Sequence, residues 1–114
     1  VAAWAIDALR PWREARRAEL GRRAAVCKAA FDGANRWRLG SIGAYFAFVL
    51  HPFPDTAALQ VAERLAKGAG VLGLPGSFFG PGQERFLRLA FANVDDETLM
   101  PLGRRLAAVE TAAL

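Results

Sequence analysis

A chain of 114 residues, 54% of them hydrophobic and 23% charged, has the composition of one packed globular domain and excludes a disordered tail. Its longest uncharged stretches, such as residues 39–50, fall short of the ~20 apolar residues that a membrane helix needs, so no membrane partner is expected. The net charge of +4 is unevenly placed: residues 1–40 hold nine Lys/Arg and four Asp/Glu, the remainder six and seven. Cys27 is the single cysteine, which rules out an internal disulfide and leaves any metal site to carboxylates and the lone His51.

After a short opening piece (residues 2–9), Pro11 suits the first turn of a helix, where its missing N–H costs nothing, and a long helix is predicted from Pro11 to Asp32. Leu20, Ala24, Cys27 and Phe31 recur at spacings of four, three and four and so share one face, with Arg16, Arg17, Arg22 and Arg23 largely elsewhere. Gly33 and Asn35 tolerate the left-handed backbone that closes a helix. Tyr45 to Leu50 is wholly apolar or aromatic and predicts a strand covered on both faces. Pro52 and Pro54 stop it. Asp55 is the expected N-cap of a helix that buries Ala58, Val61, Ala62 and Leu65 and closes at Gly68.

The apolar piece Val71–Leu74 leads into Pro75-Gly76-Ser77-Phe78-Phe79-Gly80-Pro81-Gly82, a loop whose Gly and Pro residues impose an irregular path. A strand follows from Arg85 to Phe91, with Phe86, Arg88 and Ala90 on one face and Leu87, Leu89 and Phe91 on the other, because strand side chains alternate. Arg88 is thereby set among apolar neighbours. Asp95, Asp96 and Glu97 mark the start of a last helix with Leu99, Leu102, Leu106 and Val109 as its apolar stripe, kinked or delayed by Pro101. Neither a repeat nor a Gly/Ser linker interrupts the chain, and the order of elements reads as a two-layer α+β domain.

Two stretches, Gly43-Ala44-Tyr45-Phe46-Ala47-Phe48-Val49 and Gly70-Val71-Leu72-Gly73-Leu74-Pro75-Gly76-Ser77-Phe78-Phe79-Gly80 continuing through Arg85-Phe86-Leu87-Arg88-Leu89-Ala90-Phe91-Ala92, resemble in order and spacing the C-terminal small domain of class I/II, fold type I, pyridoxal-phosphate-dependent aminotransferases. The resemblance implies a small domain with a long N-terminal helix, a short sheet and two further helices. Residues 1–35 would be the connecting helix from an absent large domain, and residues 36–114 the small domain itself. It also implies transfer of an amino group between an amino acid and a 2-oxo acid, a homodimer at full length, and Arg88 as the substrate-binding residue that takes the α-carboxylate. A guanidinium suits that role: its planar fork of donors matches a carboxylate bidentately, which Lys cannot do. Arg88 could instead pair with an acid such as Glu84 or Asp95, and Arg85 reads as a solvated or loop-anchoring charge. Tyr45 and Phe46 could line the substrate cleft or be plain core. Gly76, Ser77 and Gly80 could admit a ligand to the backbone or serve a turn.

In the family the cofactor is held covalently by a lysine in a Ser-x-Ser-Lys-type loop. Only Lys28 and Lys67 are present, and neither lies in such a motif. The fragment alone is therefore expected to be inactive, with no catalytic residue, no metal and no bound cofactor, while the full-length protein would carry pyridoxal phosphate. His51, just before Pro52, fits a surface or hydrogen-bonded residue better than a catalytic one. The first residue, Val1, suggests a truncated or processed chain, and a single cysteine with no secretory signal pattern suggests a cytoplasmic one. The alternative is a stand-alone basic interaction or nucleic-acid-binding module, in which Arg13, Arg16, Arg17, Arg22 and Arg23, with Trp12 and Trp37 nearby, meet phosphates. Glu14 and Glu19 among those arginines argue against it. The choice of amino acid is left open.

Overall fold

The computed structural model describes residues 1–112. A short helix, α1 (Ala2–Ala8), gives way at Leu9 to the 21-residue α2 (Arg10–Ala30). Pro11 explains the break, because a continuous helix would need the N–H that Pro lacks and would press its ring on the carbonyl of Asp7. In the first turn of a new helix neither matters. A 3₁₀ turn, Phe31–Gly33, and Asn35 at φ 58° end α2. The first eighteen residues are exposed apart from Ala5, while Leu20, Arg23, Ala24 and Cys27 meet the rest of the domain.

Four strands follow, β1 (Arg38–Gly43), β2 (Phe46–Leu50), β3 (Leu74–Pro75) and β4 (Phe86–Ala90), in the order β1-β2-β4-β3 with every pair antiparallel. The helix α3 (Ala58–Ala69) connects β2 to β3, and α4 (Asp96–Leu99) and α5 (Leu102–Ala112) follow β4. The fold is α+β in two layers. Ala47, Val49, Leu87 and Leu89 on the inner face of the sheet join Val61, Leu65, Leu106 and Val109 of the helices in one buried core. The end of the expected second unit, residues 113–114, lies outside the described residues.

Three local expectations need correction. The strand β2 is fully covered on one face only: Ala47 and Val49 are buried, but Phe46 is 38% exposed and Phe48 and Leu50 are half-buried, because among the described residues no second layer of helices lies over them. The N-cap of α3 is Ala57 in extended conformation, without a side-chain cap, and Asp55 plays no such part. Finally α3 runs past Gly68 to Ala69 and closes at Gly70, φ 62°. The N–H groups of Gly70 and Val71 both turn back to the carbonyl of Leu65, and Arg105 donates to the carbonyls of Ala69 at 2.8 Å and Gly70 at 3.1 Å. Those tertiary bonds satisfy acceptors that the last helical turn leaves open.

The other end signals hold. The side chain of Asp95 accepts the Thr98 N–H at 2.9 Å, capping α4, and Pro101 separates α4 from α5. Gly103 is buried where α5 crosses the end of α2, and an added Cβ would land on the carbonyl oxygen of Ala30. Gly103→Ala should therefore cost about 1–3 kcal/mol of stability by overpacking, measured as a lower urea midpoint at unchanged slope. An unchanged midpoint would contradict so close a crossing.

Candidate functional site

Register sets the site. Arg88 stands opposite Phe48 of β2 and Leu74 of β3, on the sheet face that points away from the core. Its neighbours there form an aromatic layer, with Phe48 and Phe86 stacked at 5.1 Å between centroids and Phe79 edge-on to Phe48 at 6.4 Å. The guanidinium carbon of Arg88 lies 4.1 Å from the centre of the Phe46 ring and 4.0 Å from that of Phe79.

Among the described residues Arg88 makes no ion pair, with Glu84 or with any other acid, and the side chain of Asp95 caps α4. A half-buried guanidinium framed by phenyl rings keeps its in-plane N–H donors without a carboxylate to receive them. Such a group attracts a planar anion, since charge-assisted bidentate bonds strengthen as water is excluded. A cavity of about 440 Å³ lies alongside, lined by Arg88, Phe46, Leu74, Val71, Phe91 and Leu102 among others. Its size and mostly apolar walls suit a small organic ligand.

The remaining candidates separate from this centre. Phe46 touches Arg88, whereas Tyr45 stands 55% exposed in a second depression between α2 and the β1–β2 turn, with Trp12, Arg16 and Leu20. In that turn Ala44 is held at φ 48°, a strained position for a residue with a side chain. Gly76 does make a close backbone approach, but to its own chain: an added Cβ would strike the carbonyl oxygens of Gln83 and Phe86. Gly80 and Gly82 serve the turn, at φ 146° and 76°. Arg85 anchors the loop by donating to the carbonyl of His51 at 2.9 Å. The placement of Phe79 over Arg88 is the contact that sequence reasoning missed, and a second aromatic residue inside a Gly/Pro loop was its only signal.

His51 is a buried structural residue, not a surface one. Its Nε2–H donates to the carbonyl of Glu84 at 2.9 Å and its Nδ1 accepts the Phe53 N–H at 3.3 Å, which specifies the neutral ring with the proton on Nε2. Trp37 is likewise core, edge-on to Phe53 at 5.9 Å, and so is not a platform for a base. Three of the five helix arginines are also committed internally, Arg13 to the carbonyl of Ile6. Arg22 pairs with Glu19 at 2.8 Å and Asp96 at 2.6 Å, and Arg23 donates to the carbonyls of Ala92 at 2.7 Å and Val94 at 2.9 Å. Glu19, which accepts from both arginines, is held down at a pKa of about 2. The nucleic-acid alternative loses much of its basic face in this way.

The sequence pattern described as aminotransferase class I and II matches residues 1–106. The chain belongs to this aminotransferase family. An aromatic aminotransferase from Pyrococcus horikoshii OT3 is 27% identical with a TM-score of 0.73, over 98% of this chain and 30% of that one. A Thermus thermophilus aspartate aminotransferase mutant is 25% identical with a TM-score of 0.74, over 92% and 29%. An aminotransferase from Staphylococcus aureus, 23% identical, shares the fold with a TM-score of 0.78 over 97% of this chain and 28% of its own. No curated protein matches. The chain thus spans about three tenths of the length of the solved aminotransferases it resembles.

Aminotransferases of classes I and II generally depend on pyridoxal phosphate, which requires a lysine. Lys28 on α2 and Lys67 on α3 are both exposed, and neither lines the cavity beside Arg88 or the depression beside Tyr45. The described residues do not by themselves fit that cofactor.

Burial holds the His51 imidazole below its usual value, with the charge of Arg85 acting the same way and the Glu84 carbonyl opposing. The unfolded chain then binds the proton more readily, so the stability due to neutral His51 is complete above about pH 6.5 and falls as the pH drops below it. The urea midpoint should decline between pH 6.5 and 5, where carboxylates are still ionised, and His51→Gln should flatten that slope. An equal slope in the variant would place its origin elsewhere.

Proposed function

We propose that this chain is the C-terminal small domain of a pyridoxal-phosphate-dependent aminotransferase, in which Arg88 binds the α-carboxylate of the amino acid and of the 2-oxo acid. The observation that carries the reading is the guanidinium of Arg88, framed by Phe46 and Phe79 and without an acidic partner among the described residues. Membership of the family and the cavity beside Arg88 support it. Two in-plane bonds to one carboxylate fix its direction as well as its place, so the substrate Cα–H bond is presented in one orientation. The rigid β4 strand supports that precision better than a loop.

In this reading residues 1–35 are the connection from an upstream large domain and residues 36–114 the small domain. The exposed side chains of Trp4, Ile6, Leu9 and Trp12 give the connecting segment an apolar surface suited to such a neighbour. The cofactor lysine comes from the large domain, the full-length protein is a cytoplasmic homodimer, and the isolated chain neither binds pyridoxal phosphate nor transaminates. The alternative of a basic nucleic-acid-binding module gains no support, since Arg22, Arg23 and Trp37 are engaged within the domain.

Arg88→Leu in the full-length enzyme should raise KM and lower kcat together, with a loss in kcat/KM of about 10²-fold or more, the worth of a charge-assisted bidentate pair. An unchanged kcat/KM would refute the assigned role.

A further inference from the structure

We infer that Phe46 and Phe79 are positioning residues that clamp the Arg88 guanidinium between their rings, and that the Pro75–Gly82 loop exists in its present shape to supply the second ring. The inference rests on the reading of Arg88 as the carboxylate-binding group and goes beyond it by assigning the residues that orient it. The guanidinium carbon is 4.1 Å from one ring centre and 4.0 Å from the other, while Phe46 and Phe79 share no ring contact with each other. The rings therefore flank the cation on different sides. Contacts of this kind are favourable in themselves and grow stronger where water is thinned out.

The consequence is directional. A free arginine can be approached from its faces or its edge, but with both flanks occupied by phenyl groups the N–H donors in the guanidinium plane are what remains. An approaching carboxylate must come in that plane, where it can accept two parallel bonds. The flexible arginine side chain is also held before substrate arrives, so less freedom is lost on binding.

The loop carries the ring through specific backbone geometry. Gly76 lies against the carbonyls of Gln83 and Phe86, where no larger residue fits. Phe86 N–H closes onto the carbonyl of Gln83 at 3.0 Å, and the 3₁₀ turn Gly76–Phe79 then delivers Phe79 over β4. Phe79 in turn meets Phe48 edge-on, which fixes the tilt of its ring. Phe79 is 43% exposed, so its role is not that of core filling.

The test is carried out on the full-length enzyme with the amino acid it turns over best and the amine that lacks only the carboxylate. The quantity read is the ratio of their kcat/KM values, which general damage to folding or to the cofactor site lowers equally for both and so leaves alone. Phe79→Leu and Phe46→Leu should each reduce the preference for the carboxylated substrate by about 3- to 20-fold, and Phe79→Tyr should retain it within about twofold because its ring remains. A wild-type ratio in Phe79→Leu, in an enzyme whose ratio collapses in Arg88→Leu, overturns the clamp and leaves the role of Arg88 standing. A wild-type ratio in Arg88→Leu overturns both.

Discussion

The antiparallel register of β2 against β4 is the constraint on which both core and site depend. Phe48 opposite Arg88, and Ala47 opposite Leu89, assign one set of alternating residues to the buried layer and the other to the aromatic face. A slip of one residue would exchange the sets, sending Arg88 into the core and Leu87 or Leu89 outward. The core cluster around them is apolar, so the burial of Ala47, Val49, Leu87 and Leu89 and the placement of Arg88 on the opposite face enforce one another. The same alternation that stabilises the domain holds Arg88 on a rigid strand.

The basic composition finds most of its explanation inside the molecule. Arg22 and Arg23 tie α2 to α4 and to the carbonyls that follow β4. Arg36 bonds Glu110 on α5, Arg85 holds the chain at His51, and Arg105 closes the end of α3. These arginines act as cross-links between elements distant in sequence, each with an oxygen acceptor. Arg88 differs from them, since its contacts are aromatic rings, and from Arg16 and Arg17, which stand in solvent. A cation held by π faces, with no ion pair among the described residues, is free to serve the carboxylate-binding role proposed for Arg88.

Much of this was legible in the chain. Period-2 alternation in residues 86–91 put Arg88 on the face away from the core, the apolar stripe of α3 was read residue for residue, and Asp95 marked the start of the last helical stretch, which Pro101 splits into α4 and α5 where a single kinked or delayed helix was expected. Stretches 43–49 and 70–92 pointed to the family that residues 1–106 match. What failed was decided by distant neighbours. Gly68 and Gly70 are equally able to end a helix, and the choice fell to Arg105, 35 residues on from Gly70. Asp55 resembled a cap, yet the turn from Pro54 lets Ala57 enter the helix in extended form. The ring of Phe79 reaches Arg88 through a loop without periodicity, and of the two readings of His51, surface or hydrogen-bonded, the second holds, with Trp37, Phe53 and Glu84 around the ring.

The proposed carboxylate-binding Arg88, with Lys28 and Lys67 both outside the cavity beside it, makes chemical sense in a domain that is one part of a larger enzyme. The most direct test is to read the coding sequence upstream of the Val1 codon in frame. The account requires an open frame for more than twice the length of this chain, as its share of the solved aminotransferases indicates, with a lysine in a Ser-rich cofactor loop. A start codon at or just before Val1, with no such lysine upstream, would contradict it.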